Sequence, residues 1–283
     1  MDELTNHDVT TVPLELFDFA FCRRLNKKAP ELNKEFKEYI EDLQQLAIKE
    51  NWGTPQGHQK YPVLHNYIWH TYMRIAEEYN DAVTPEERAK KIPMRDGFAC
   101  FNTGLFTEEF ERIFALFEQN RVPDRQPWYF LGFVPESDRQ LSRFSPLPER
   151  ANYFEDPGSL IFDYRLEIRP NKRHILVDNK DRLPQEYQAP DKYAWLVQHF
   201  EGAVNNAQRR LSENFKLAVP QYYRGRIQLL VPLYLTGNRQ PDLALAIERD
   251  GDVYQARTCL TIDMAYNNAR LIVKPQSDWL QPA

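Results

Sequence analysis

The stretch RIQLLVPLYL (Arg226–Leu235), TGNRQP (Thr236–Pro241), DLALAIER (Asp242–Arg249), DGD (Asp250–Asp252) and VYQARTCLTIDMAYNNARLIVK (Val253–Lys274) decides how this chain is read. Its apolar residues alternate as they do in buried strands, and the Asp-Gly turn marks a hairpin. On this reading the sheet runs on to Ile272. Polar residues interrupt the apolar context at Arg257, Asp263, Asn268 and Arg270, so the sheet is expected to hold something polar.

Immediately upstream, Asp191–Val219 reads as the longest helix, with Phe200, Val204, Ala207, Leu211 and Phe215 stepping by three or four residues. Asp191 is placed to cap it and Pro220 to stop it. Leu160–Arg169 alternates cleanly: Phe162, Tyr164, Leu166 and Ile168 face one way, Asp163, Arg165, Glu167 and Arg169 the other. Arg173–Val177 is expected to return beside it as a hairpin, which sets His174 across from the polar face. Phe98–Leu105 and Arg112–Phe117 form another expected hairpin, Trp128–Val134 is a short apolar strand, and Asp138–Phe154 is irregular and broken by prolines.

Towards the N-terminus the period becomes helical. Short helical character at Leu14–Leu25 precedes two amphipathic helices, Asn33–Trp52 with Asn33 as cap, and Tyr61–Asn80. The pattern specifies an α+β fold, N-terminal helices followed by a largely antiparallel sheet covered by one long helix. It divides into a helical region 1–95 and a core 96–283, or one continuous domain.

At 283 residues the chain can bury a full core, and its 17 Phe, 15 Tyr and 5 Trp with only 10 Gly argue against disorder. A formal charge of −5 supplies no global basic field, so any nucleic-acid contact needs a local patch. Three widely spaced cysteines fit a reducing compartment better than a disulfide framework. The stretch MDELTNHDVTTV is not a signal peptide and no apolar run reaches about 18 residues, so a cytoplasmic location away from the membrane is expected. Phosphate-loop, dinucleotide-turn, zinc-helix and serine-elbow motifs are absent, and no metal-ligand spacing occurs.

Candidate chemistry therefore rests on clusters. Asn102 in FACFNTGLF, Arg165, Arg257, Asn268 and Arg270 would hold a phosphate-bearing ligand, since guanidinium and amide groups match its oxygens. His174, whose ordinary pKa lies near neutrality, would exchange protons with Asp163, while Asp263 would orient one of the arginines. Arg209, Arg210, Lys216 and Arg224, interleaved with Tyr222 and Tyr223, suit single-stranded RNA, where cations meet phosphates and rings stack on bases. Each cluster has a structural counterpart: a β-bulge at Asn102, self-paired charges on the 163–169 face, a solvated helix end at 209–216.

FNTGLF, RIFALFEQN, PWYFLGF, LPERANYF, PQYY and LTIDMAYNNARLI together resemble an uncharacterised bacterial domain-of-unknown-function family, from about Trp52 onward. The resemblance implies an RNA context, because some members of that family carry cold-shock or OST-HTH-type RNA-binding domains. It implies no catalytic residue. The expected function is thus an RNA- or nucleotide-associated protein that binds a phosphate-bearing ligand in a polar cleft. If it is an enzyme, RNA-end processing by phosphoryl or nucleotidyl transfer fits, with a divalent cation such as Mg²⁺ as the candidate cofactor. A non-catalytic RNA- or protein-interaction module and a small-molecule enzyme unrelated to RNA fit the same residues.

Overall fold

Strands that are apolar on both faces must be covered on both faces, and this requirement organises each half of the chain. The computed structural model describes residues 10–24, 33–153 and 156–281. Leu25, Phe154 and most of the acidic N-terminal stretch lie outside the described residues. The chain divides into two compact units, Met1–Asn152 and Tyr153–Ala283, each built on a five-stranded sheet with helices. The sequence-based partition at 95/96 groups the same elements differently. The fold is α+β, but the strands of 98–135 and 226–260 belong to two sheets rather than to halves of one.

The first unit runs α1 (Leu16–Phe19), β1 (Ala20–Phe21), α2 (Phe36–Leu46), α3 (Pro62–Asp81), α4 (Pro85–Ala89), β2 (Met94–Arg95), β3 (Phe98–Phe106), β4 (Arg112–Gln119) and β5 (Trp128–Pro135). Its sheet order is β1-β5-β4-β3-β2, with β1 parallel to β5 and the other neighbours antiparallel. Helix α2 is shorter than its periodicity predicts. Arg24 and Lys34 exchange backbone hydrogen bonds, which keeps the chain extended past Asn33, and Glu38 reaches back to the Glu35 N–H instead. At its other end the Ile48 N–H turns to the Phe106 carbonyl. On one sheet face Tyr72 of α3 meets Phe101, and Tyr39 of α2 meets Phe130. The opposite face buries Cys100, Phe114 and Leu116 under Leu141 and Phe144.

Strand β3 carries a bulge, its register with β4 shifting between Asn102 and Phe106. Asn102, 4% exposed, closes it: its Oδ1 accepts from the Gly104 N–H at 2.9 Å and its Nδ2 donates to the Pro148 carbonyl at 3.2 Å. Gly104 is required there, for its φ is +76° and a Cβ would stand 2.7 Å from the Tyr67 hydroxyl.

The second unit runs β6 (Glu167–Pro170), α5 (Tyr193–Glu213), β7 (Val219–Tyr223), β8 (Arg226–Leu233), β9 (Leu243–Asp250), β10 (Val253–Leu260) and α6 (Ile262–Arg270), in sheet order β6-β10-β9-β8-β7. Leu196, Phe200, Ala203, Val204, Ala207 and Leu211 of α5 share a core with Leu229, Val231, Leu245 and Ile247. Each large side chain so buried contributes roughly 1.5–3 kcal/mol, which is why α5 holds its place. The alternate residues Leu230, Ala244 and Ala246 are buried outside that core, and α6 packs on β7, β9 and β10.

Four expectations are corrected here. Strand 160–169 shrinks to β6, because Asp163 folds back on Arg165 and breaks the extension. The return strand 173–177 is a π-helical turn, His174–Asp178. Strand β6 pairs in parallel with β10 instead, and the Asn171 side chain accepts from the His174 N–H to start the turn. Helix α5 ends at Glu213 rather than Val219, while Asp191 sits in a short 3-10 turn before it. Pro220 does not stop the helix; it lies in β7 at the sheet edge, where a missing N–H is tolerated. Finally, the last strand stops at Leu260: Thr261 accepts from the Met264 N–H and opens α6 as its cap.

The substitution Gly104→Ala is expected to cost roughly 2 kcal/mol or more, through left-handed strain and the clash with Tyr67. In urea denaturation, the double variant Gly104→Ala/Tyr67→Phe should lose less than the sum of the single changes, since removing the hydroxyl relieves the clash.

Candidate cationic cleft in the second unit

Helix α5 is amphipathic, so its last turn delivers polar side chains to the surface beside the core it anchors. There Arg210 and Lys216 line a cleft of ≈ 400 Å³ together with Arg239, Tyr234, Asp278 and Trp279. Several of these elements are held by their neighbours. The Arg210 guanidinium lies over the Tyr234 ring, 4.4 Å from its centre. Asn214 accepts from the Lys216 N–H at 3.1 Å, which fixes the 3-10 turn Phe215–Leu217. Trp279 is 6% exposed and donates its ring N–H to the Leu217 carbonyl at 2.9 Å.

Arg239 stands on the loop after β8, and Asp242 clamps that loop. Its Oδ2 accepts from the Leu235 and Thr236 N–H groups at 2.7 and 2.9 Å, and its Oδ1 from the Thr236 hydroxyl at 2.7 Å. Among the described residues none of Arg210, Lys216 and Arg239 is in an ion pair, and Asp278 is the acid in the lining. Arg210, Lys216 and Arg239 thus line one hollow together with Tyr234 and Trp279. A hollow of ≈ 590 Å³ in the first unit is lined by Tyr79, Met94 and Phe144 with Arg88 and Arg95. Arg88 and Arg95 each donate to one carbonyl, of Val83 and Arg143, while Arg88 Nε is buried without a hydrogen-bond partner among the described residues and Lys90 also lines the hollow beside Glu86.

The remaining residues singled out from sequence are dispersed. Arg209 is exposed on α5 but outside the cleft lining. Tyr222 packs its ring against Tyr153 at 5.0 Å, while Tyr223 and Arg224 occupy the β7–β8 turn, roughly 13 Å of strand beyond Val219. Arg224 has φ 49° and Gly225 φ 79°, as a two-residue hairpin requires. Asp163 and Arg165 form a two-point ion pair, Oδ1 to Nε at 2.8 Å and Oδ2 to NH2 at 2.7 Å. His174 places Nδ1 3.1 Å from Asp178 and Nε2 3.1 Å from Asn179, so the hairpin that would have faced it toward Asp163 is not formed. Arg257 is exposed at a bulge in β10.

Asn268 donates to Gln221 at 3.1 Å, Gln221 to Gln228 at 2.8 Å, and Gln228 to Glu248 at 3.3 Å, with Arg226 closing the chain on Glu248 at 2.8 Å. That polar ladder satisfies groups buried under α6, so Asn268 serves the fold. Arg270, 9% exposed, and the exposed Asp263 stand at opposite ends of α6, each where its charge favours the helix dipole. Among the described residues no group of three or more His, Cys, Asp or Glu side chains could hold a metal ion, and no helix is long and apolar enough to cross a membrane.

Sequence reasoning missed Arg239, Tyr234 and Trp279. The Thr236–Pro241 turn was legible, but nothing local says that its arginine meets the end of α5.

The Arg165 guanidinium, bonded to both carboxylate oxygens, holds the Asp163 carboxyl down at about 2. A depressed carboxylate supports folding above its unfolded value and loses that support as pH falls through the folded one. Carbon-detected NMR titration should therefore give Asp163 a midpoint near 2, returning towards the ordinary aspartate range of about 3.9 in Arg165→Ala. An unmoved midpoint would assign the depression to another group.

A family model described as a domain of unknown function, DUF3825, matches residues 43–279. No curated protein and no solved structure matches the chain.

Proposed function

The chain belongs to the DUF3825 family, and from the geometry of its second unit we propose that it binds a phosphate-bearing ligand, a nucleotide or the end of a single-stranded RNA, in the Arg210–Lys216–Arg239 cleft. One observation carries the reading. Most arginines and lysines with a defined partner here meet a carboxylate or a carbonyl, as Arg112 meets Glu136 and Arg226 meets Glu248. Three cations without ion pairs in one cleft leave positive charge that an anion would neutralise. Tyr234, half-buried in the same lining and braced by Arg210 over its ring, gives a base or sugar some apolar surface to rest against.

An RNA context, with the cold-shock and OST-HTH associations that the resemblance implies, and a cytoplasmic setting belong to this proposal. The proposal is one of binding. His174 and Asp163 are each committed to local partners, and the arrangement brings them to no common reacting centre.

Titration with a 5′-phosphorylated single-stranded RNA tests it. Three cation–phosphate contacts predict that log K falls with log[salt] with a slope of about −2. Arg239→Ala should weaken binding about tenfold and flatten the slope by about 0.7. Absence of binding at low salt, or an Arg239→Ala variant that binds with unchanged slope, would refute it.

A further inference from the structure

Resting on that reading of the cleft, we infer that the ligand is a single strand several nucleotides long, and that it continues along α5 to a stacking platform at the helix's other end. Six exposed or half-buried residues, Trp195, His199, Gly202, Asn206, Arg209 and Arg210, fall within about 100° of arc on α5 at 3.6 residues per turn. The buried residues occupy the neighbouring arc, so this stripe borders the core without belonging to it. Trp195 and Arg210 are fifteen residues apart, about 22 Å of rise. A strand covers that distance in about six nucleotides at a stacked spacing of about 3.4 Å, and in fewer when extended.

The far end of the stripe is an aromatic assembly that the fold does not fully bury. Trp195 is 40% exposed and its neighbour Tyr193 47%. The Trp195 ring stacks on Tyr187 with centres 4.9 Å apart and lies 4.3 Å from the His199 ring. Tyr187 is 1% exposed and anchored: its hydroxyl donates to the Leu235 carbonyl at 2.7 Å and meets His199 Nδ1 at 2.9 Å. The platform is therefore braced from beneath, and a base that stacks on it loses little freedom to side-chain ordering. The Lys192 ammonium lies 5.7 Å from the Trp195 ring centre, a cation beside a ring as single-strand sites use them.

Leu235 also joins the two ends of the track. The residue that accepts from Tyr187 precedes the Asp242-clamped turn that carries Arg239. Between the ends the helix face is open among the described residues at two points: Gly202 has no atom within 4 Å of where a Cβ would stand, and Asn206 is exposed. Lys192, Arg209, Arg210, Lys216 and Arg239 supply the positive charge, against Glu186 and Asp191 at the platform end, Glu213 on the same arc and Asp278 in the cleft. Rings at one end, cations at the other and an open helix face between them suit a polyanion with stackable bases.

Two substitutions on the full chain test the track, with 5′-phosphorylated uridine dinucleotide and octanucleotide as probes at low salt. The octanucleotide should bind at least about tenfold tighter than the dinucleotide. Gly202→Glu, at a helical site with room for a side chain, should fold normally and remove that gain while leaving dinucleotide affinity unchanged. Trp195→Ala should do the same, and Trp195→Phe should keep part of the gain as a purely structural role would not demand. Equal affinity for the two probes, or an octanucleotide bound as tightly by Gly202→Glu as by the parent, overturns the track while a cleft sensitive to Arg239→Ala stands. A dinucleotide that fails to bind, or binds regardless of Arg239→Ala, removes the cleft reading and the track with it.

Discussion

Two-sided burial of the central strands is the constraint on which everything else here depends. In β3 and β4, and again in β8 and β9, consecutive residues are buried, so neither face of either sheet is open to water along those strands. Such a strand needs apolar cover above and below. In the second unit α5 supplies it on one face, and its amphipathic register then dictates which residues remain outside. The exposed stripe of α5 follows from the helix having a core-facing side at all.

Charge is distributed by the same logic of satisfaction. Arg165 is bound to Asp163, Arg226 to Glu248, and the buried amide of Gln221 to the half-buried amides of Gln228 and Asn268. A buried polar group without a partner costs about 1–3 kcal/mol, so the interior groups are chained together. Arg210, Lys216 and Arg239 are exempt because they are exposed, and a lone cation in contact with water costs little. That exemption is what distinguishes a place where a ligand's charge is useful from places where charge is already answered. It also sets the limits of the polar inserts in the C-terminal stretch. Asn268 and Arg270, which look anomalous in an apolar sequence, are stations of a helix packed on a sheet.

Much of the architecture was legible in one dimension. Alternation located β3, β4, β8 and β9, a short wholly apolar run located β5, and the helical period located α2, α3 and α5. These are local properties, in which a side chain's neighbours along the chain share its face. The errors have two causes, a distant partner and a local side-chain contact. At 160–177 the alternating pattern suggested a hairpin, but β10 took the place of the return strand as a parallel partner, and an Asp163–Arg165 contact shortened β6. At 261–270 an apolar pattern that also fits a helix became one once Thr261 capped it.

Sequence by itself determined which segments are amphipathic, which turns are compulsory and which charges have a partner close along the chain, because those depend on spacing alone. The three-dimensional fold was needed to show that there are two sheets and that Arg239 and Trp279 join Arg210 and Lys216. Those outcomes depend on competition between distant pairing partners. A residue 29 positions from Arg210 enters its cleft because Asp242 folds the loop between them, not because of any pattern around either arginine.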